Sequence, residues 1–507
     1  MRANGKGTKI LFKFGLTIAV LTLFAAGGFF LLSNYSIGQE DVEIQTAPVN
    51  PEFQKYLLDW EAGLVRTLTE DGYPLGDIPA PLNAEMVKPL GQNKIDNLPS
   101  SYNLENLGRM TSVKNQGSCG SCWSFATYGS LESNEYGADS LIPIDFAGEP
   151  DWSEQHMIQN HGFDYGKCEG GNQYMAAAYL TRWDGPRSEK AFKYDYGTMG
   201  KKDTQRHIQK IVMVPPKTAA KKDKLIKNAI MKFGAGYVSM YWSNACYNSS
   251  TYAYYNKSLE VGGHGVAVVG WDDTFSRNKF LQTPPGDGAY IVKNSWGKNW
   301  GNGGYFYVSY YDNYFCKRSP ITFFTDESGT DAGSASVSDN EPVTNHKSIY
   351  QYDPYGWVNN IGWGSKILWM ANMFKAKKNE TLKAVSFYSV DSVFTYTLYI
   401  YTNVNNTDPT SGTLAYKKSG KIKSPGYFTI DINNVPIKKG KKFAVVIKAK
   451  TKTHAYPGAV EYYYYGYCSD ADANAGESWA SKNGNDWSDL TKVYKSSANF
   501  CIKAFAN

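Results

Sequence analysis

The chain has 507 residues, 42% hydrophobic and 20% charged, enough to bury cores in roughly two or three domains and too apolar for a disordered chain. Aromatic residues reach 15% (39 Tyr, 24 Phe, 13 Trp), a bias toward sheets. The net charge of +6 averages unlike parts: a basic start, an acidic middle, and residues 342–507 with 21 Lys, 11 acids and no Arg, which argues against a nucleic-acid partner because bidentate phosphate and base contacts favour Arg.

Residues 1–13 are basic and polar, and the 19 residues from Phe14 to Leu32 carry no charge. This pattern reads as an export segment over 1–38, cleaved near Gly38; an uncleaved membrane anchor is the other reading of the same run. The remainder is then extracellular or at the cell surface, where disulfides persist. Seven cysteines, an odd number, leave one thiol over. Residues 39–97 are a short N-terminal pro or linker segment. Leu57, Leu58, Leu64, Val65 and Leu68 stripe a helical-looking stretch from Phe53 to Leu68. Residues 98–325 hold the dense motifs. Residues 326–341, with five acids and no basic residue, read as a flexible linker.

From 342 to 507 the pattern has period two. Tyr396, Leu398 and Ile400 share a face, as do Phe428, Ile430 and Ile432, and Phe443, Val445 and Ile447. Turn signals at 405–409, 424–426 and 438–441 separate them, so an all-β sandwich is predicted.

The chemistry concentrates in Gln116-Gly-Ser-Cys-Gly-Ser-Cys122-Trp. A zinc half-site lacks a second Cys or His pair, and a redox pair would follow a βα unit rather than a polar glycine-rich loop. Small and apolar residues after Ser121 (Trp123, Phe125, Ala126, Gly129, Leu131) can line one side of a helix, with Cys122 at its N-terminus, where free N–H groups favour a thiolate. The Gln116 amide can donate to an oxyanion beside the Cys122 N–H. His264, flanked by glycines at the start of an apolar strand, is expected to face a cleft open to substrate. Asn294 ends the strand Tyr290-Ile-Val-Lys-Asn and can orient His264, and Trp296 can cover that hydrogen bond.

Gln-Gly-Ser-Cys-Gly-Ser-Cys-Trp, Gly-His264-Gly-Val and Lys293-Asn-Ser-Trp-Gly-x-x-Trp-Gly resemble the papain-like cysteine peptidases over residues 98–325. The resemblance implies an α+β, two-lobe peptidase: a helical lobe plus a β-barrel-like lobe. It implies Cys122 as nucleophile, His264 as general acid and base, Asn294 as its orienting group and Gln116 in the oxyanion hole. It also implies backbone pairing of an extended substrate with Gly170 and Gly171, a disulfide between Cys119 and Cys168, and no metal or organic cofactor. The spacing from Cys122 to Asn294 is long for this family, which places an insertion in Thr274–Gly288. Residues 39–97 lack the helical signature of a papain-type propeptide, so the sequence does not establish that they inhibit.

Residues 342–507 resemble the lectin-like domain found behind some bacterial and archaeal members of this family, through Asn379-Glu-Thr-Leu-Lys-Ala-Val-Ser-Phe-Tyr388 and Gly476-Glu-Ser-Trp-Ala-Ser-Lys-Asn-Gly. That implies binding of a cell-surface polysaccharide, with Trp357, Trp363, Trp369, Trp479 and Trp487 as stacking candidates and the 461–467 tyrosine run on both faces of one strand. Cys468 with Cys501, and Cys246 with Cys316, would pair and leave Cys122 over. The function expected is an exported cysteine endopeptidase acting on polypeptides. A surface adhesin, or an envelope transpeptidase on the same fold, is the alternative.

Overall fold

The computed structural model describes residues 43–83, 97–136, 149–194, 206–216, 224–258, 260, 262–325, 346–494 and 497–507. The expected export segment and the acidic linker at 326–341 lie outside them.

The N-terminal segment begins as a strand, Gln45–Thr46, and turns into helix α1, Pro51–Glu61. Asn50 caps α1 by accepting from the Glu52 N–H at 3.1 Å, and Pro51 sits at its first position, where no amide hydrogen is needed. The helix stops well short of the expected Leu68. Gly63 takes φ +68°, and Leu58, Leu64 and Leu68 stay exposed while Leu57 packs half-buried against the core, so only part of the apolar stripe is used. Phe53 is the fully buried residue of the helix, held edge-on between Tyr464 and Tyr467, and Glu52 beside it pairs with Arg318.

Helix α2, Cys122–Tyr136, is the axis of the helical lobe. Every residue from Cys122 to Glu135 is buried, rather than one face only, because α2 packs between strands on one side and helices α3 (Glu154–Asn160) and α4 (Gln173–Thr181) on the other. Several of its polar side chains find buried partners: Thr127 Oγ1 donates to the Trp123 carbonyl at 2.8 Å, and Glu132 joins Asp151 and Glu154 around Lys114. Ser153 and Asn172 cap α3 and α4.

The second lobe is an antiparallel sheet built on Gly236–Tyr241, Gly263–Asp272, Ala289–Lys293 and Tyr305–Ser309, with helix α5 (Lys224–Phe233) against it. Loop 273–288 joins two of these strands, where the insertion is expected. His264 pairs in register with Met240, one residue inside its strand.

In the C-terminal region the three alternating runs are strands Phe394–Thr402, Gly426–Ile437 and Lys442–Thr451. One of its sheets continues into the peptidase lobe. Lys210–Val214 pairs with Ile321–Thr325 on one side and with Gly426–Phe428 on the other. Gly426 has φ +135°, and a Cβ there would lie 2.0 Å from the Ile211 carbonyl oxygen. The N-terminal strand is also held by this region, with Gln45–Thr46 paired to Ile361–Gly362.

Several sequence expectations need correction. The strand Gly458–Tyr462 takes in only the first tyrosine of the run, and the exposed members Tyr463 and Tyr465 lie beyond it. Trp357 and Trp479 are buried at 3% and 5% exposure, so neither is a stacking platform. Cys246, Cys316, Cys468 and Cys501 are all buried thiols rather than two disulfides. Packed in apolar core, they need no oxidation to be stable; Cys468 Sγ donates to the Tyr462 carbonyl at 3.2 Å.

Candidate active site

The Cys119–Cys168 disulfide, with Cα atoms 4.8 Å apart, ties the loop before α2 to the loop carrying Gly170 and Gly171. Cys122 opens α2, and its Sγ accepts the Gly265 N–H at 3.3 Å. This contact brings the thiol to the residue after His264. His264 Nε2 lies 2.7 Å from Asn294 Oδ1, and the Ser295 N–H donates to the same oxygen at 2.8 Å, fixing the amide. With Nε2–H donating, Nδ1 carries the lone pair; it is buried and has no hydrogen-bond partner. The Trp296 ring stacks on His264 at 4.5 Å. Loop 114–116 docks on loop 295–297, with the Gln116 N–H donating to the Ser295 carbonyl at 2.8 Å. Ser295 Oγ donates to Gln116 Oε1 at 2.6 Å, which turns the Gln116 amide nitrogen the other way.

Sequence and structure differ on access. Cys122 and His264 are fully buried, not open to a cleft. Residues 66–78 of the N-terminal segment lie across them. The Pro74 carbonyl oxygen accepts from Gln116 Nε2 and Trp296 Nε1, both at 3.3 Å. The Gly76 N–H reaches the Cys122 thiol and donates to the Gly263 carbonyl at 3.2 Å. The Ile78 N–H donates to the Gly171 carbonyl, and the Gly171 N–H to the Gly76 carbonyl, both at 3.0 Å, in a parallel bridge of Asp77 with Gly171. Gly171 presses on Trp123, where a Cβ would fall 2.4 Å from the indole; Gly170 has φ +110°.

Burial therefore sets the charges. It pushes the Cys122 thiol up to about 12, with the Asp77 charge adding to the rise. It pulls His264 down to about 4 against the Asn294 hydrogen bond. In the covered state the pair is a neutral thiol and a neutral imidazole.

Other residues of the site carry no motif. Asp77 Oδ2 accepts from Arg318 Nη1 at 2.7 Å, and its Oδ1 accepts from Ser239 Oγ at 3.0 Å and from the Tyr237 hydroxyl. An open cavity of about 320 Å³ beside them is lined by Glu52, Asp77, Tyr241, Gly263 and Arg318, among others. Ser295 is the one missed residue that a motif could have flagged, since it lies inside Lys-Asn-Ser-Trp. His156 and His161 serve packing: His156 Nδ1 meets the Tyr179 hydroxyl at 2.6 Å, and His161 stacks edge-on to Trp123.

A cysteine at a helix N-terminus, set against a His–Asn pair on a sheet, defines the class. Comparison with known proteins gives the family. Residues 98–322 match the papain family cysteine protease model, and residues 349–506 match the lectin-like domain model. Zingipain-1 of Zingiber officinale is 30% identical over 226 residues, covering 42% of this chain and 88% of that protein. Cysteine proteinase 1 of Zea mays is 32% identical over 228 residues; the match covers 42% of this chain and 57% of that protein's length. A crystal structure of the cysteine protease and lectin-like domains of Cwp84, a surface layer associated protein of Clostridium difficile, superposes with TM-score 0.72 at 26% identity, covering 92% of this chain and 98% of that one. Cwp84 after propeptide cleavage superposes with TM-score 0.67 at 27% identity, covering 81% of this chain and 100% of that one. The chain belongs to the papain family of cysteine proteases and carries a lectin-like domain behind the peptidase domain.

Proposed function

We propose that this protein is an exported cysteine endopeptidase, held latent by its own N-terminal segment. One observation carries the reading: Cys122, His264, Asn294 and Gln116 meet in one site whose polar contacts suit acyl transfer. With the segment gone, water returns and the Cys122 proton passes to the free His264 Nδ1. The thiolate sulfur attacks a peptide carbonyl carbon, and the C=O electron pair moves to the oxygen. Gln116 Nε2 and the Cys122 N–H donate to that oxyanion. The oxyanion collapses, the C–N bond breaks, and His264 gives its proton to the leaving amine. Water then adds to the thioester, with His264 taking its proton and returning it to sulfur.

Latency is supported by chemistry and by orientation. The Gly76 N–H meets the thiol, and the segment runs parallel to Gly171. The Cwp84 structure obtained after propeptide cleavage covers 81% of this chain, so a protein of similar architecture carries a propeptide that is cut off. The domain limits that follow are 39–97 for the inhibitory segment, 98–325 for the peptidase and 342–507 for the lectin-like domain. An extracellular, surface location is supported by the export-type N-terminus and by the surface-layer association of Cwp84. A carbohydrate partner for the lectin-like domain is supported by the lectin-like family match and by half-buried Trp487.

Cys122→Ala tests the assignment. It should abolish cleavage of denatured protein and labelling by a thiol-reactive epoxide; turnover by that variant at the parent rate would overturn it.

A further inference from the structure

We propose that the cleft contains a subsite for an acidic side chain, built by Arg318, Tyr237 and Ser239, and that Asp77 fills it in place of substrate. The proposal rests on the peptidase reading above and names the substrate class of that site. Gly76 sits at the Cys122 thiol, and Asp77, one residue on, pairs with Gly171. The Asp77 side chain turns toward strand Gly236–Tyr241. There three donors converge on its carboxylate: Arg318 Nη1 at 2.7 Å, Ser239 Oγ at 3.0 Å and the Tyr237 hydroxyl.

The site is built rather than incidental. The Asp77 and Arg318 side chains are 1% and 5% exposed. Arg318 lies 4.3 Å from the centre of the Tyr241 ring, which supports the guanidinium from the peptidase side. Among the described residues, the two carboxylates paired with Arg318 are Asp77 and Glu52, and both belong to the N-terminal segment. Glu260, another acid lining the cavity, hydrogen-bonds Tyr314.

Departure of the segment therefore removes both countercharges and leaves a cation with two hydroxyls at the wall of the cleft. A guanidinium held in a concave, partly dry site without an anion is unfavourable, and an apolar side chain would leave all three donors unpaired. A peptide paired with Gly171 in either direction presents one side chain to this wall. Its residue at Cys122 is the one whose carbonyl reacts, so the residue at the wall is the second before the scissile bond. Asp or Glu is selected there, by the same logic that makes a polar pocket reject analogues lacking the polar group.

The test uses the full chain, cleaved near Asn97–Leu98 and freed of the segment, on fluorogenic peptides that vary only at that second position. Asp and Glu should exceed Leu and Asn in kcat/KM by about tenfold or more, the range of a charged hydrogen bond. Arg318→Leu should erase the preference while Cys122 still labels with the epoxide. If Arg318→Leu does not fold, as judged by circular dichroism, the parent profile alone decides. Cleavage with a flat or apolar preference would overturn the subsite and leave the peptidase reading standing. No cleavage of any peptide, with Cys122 unlabelled, would overturn both.

Discussion

Burial decides the protonation of Cys122 and His264 before any charge pairing does. The imidazole, ordinarily near 6.5, is pulled down to about 4 under the segment. In Cys122→Ala the uncovered ring has no thiol proton to accept, and it binds a proton between these values that the covered form refuses. The covered state of that variant is therefore at full strength above pH 6.5 and weakens as pH falls toward 4, by up to about 3 kcal/mol for the full shift. Hydrogen exchange over residues 66–78 of Cys122→Ala, corrected for intrinsic rates, should show protection falling across this window, and adding His264→Gln should flatten the trend. Constant protection would contradict it. Asn294 acts through His264. Losing its 2.7 Å hydrogen bond in Asn294→Ala frees the ring, and a misplacement of this kind costs about 10²-fold in kcat/KM once the segment is removed. The reacting residues were legible in the sequence because each sits in a short block whose residue types have few other uses. Arg318, Tyr237 and Ser239 were not: they reach Asp77 only through folding, across 160 to 241 residues. The cysteine count misled. It assumed that every other thiol pairs, whereas four are simply buried in core.

The N-terminal segment works as an element through its backbone, and Gly76 is its tightest point. A Cβ there would lie 2.1 Å from the Gly120 carbonyl oxygen, a backbone atom that cannot yield cheaply. Gly76→Ala should loosen residues 74–78 and raise epoxide labelling of the full chain by about tenfold or more, since even a 1.4 kcal/mol loss of docking shifts the open fraction tenfold. Unchanged labelling would mean that the segment does not gate access. Phe53 holds the other end; Phe53→Ala should cost about 3–5 kcal/mol of docking, the usual range for a buried phenylalanine, seen as a lower denaturant midpoint for exposure of α1. The sequence showed an apolar stripe to Leu68 but not that Gly63 would end the helix. It did not establish covering, because the cover is made of main-chain hydrogen bonds and of side chains such as Asp77 that meet their partners only in the fold.

At the scale of the molecule, the peptidase and lectin-like regions share a sheet. Lys210–Val214 fills the gap between Ile321–Thr325 and Gly426–Phe428, so removing the C-terminal region would bare a strand edge. A chain ending at Thr325 should melt at lower temperature and aggregate, while the whole chain melts with both regions together. Separate transitions at unchanged temperatures would show that the junction is not structural. The alternation that predicted the C-terminal strands was sound, but periodicity says nothing about which strand edges meet. The central claim is that Cys122 is a nucleophile kept covered by residues 66–78. Hydrolysis of a fluorogenic peptide, measured on the full chain before and after cleavage near Asn97–Leu98 and release of the segment, tests it most directly. The account predicts negligible hydrolysis before release, strong hydrolysis after it, and none at either stage in Cys122→Ala; equal activity before and after, or activity in Cys122→Ala, would contradict it.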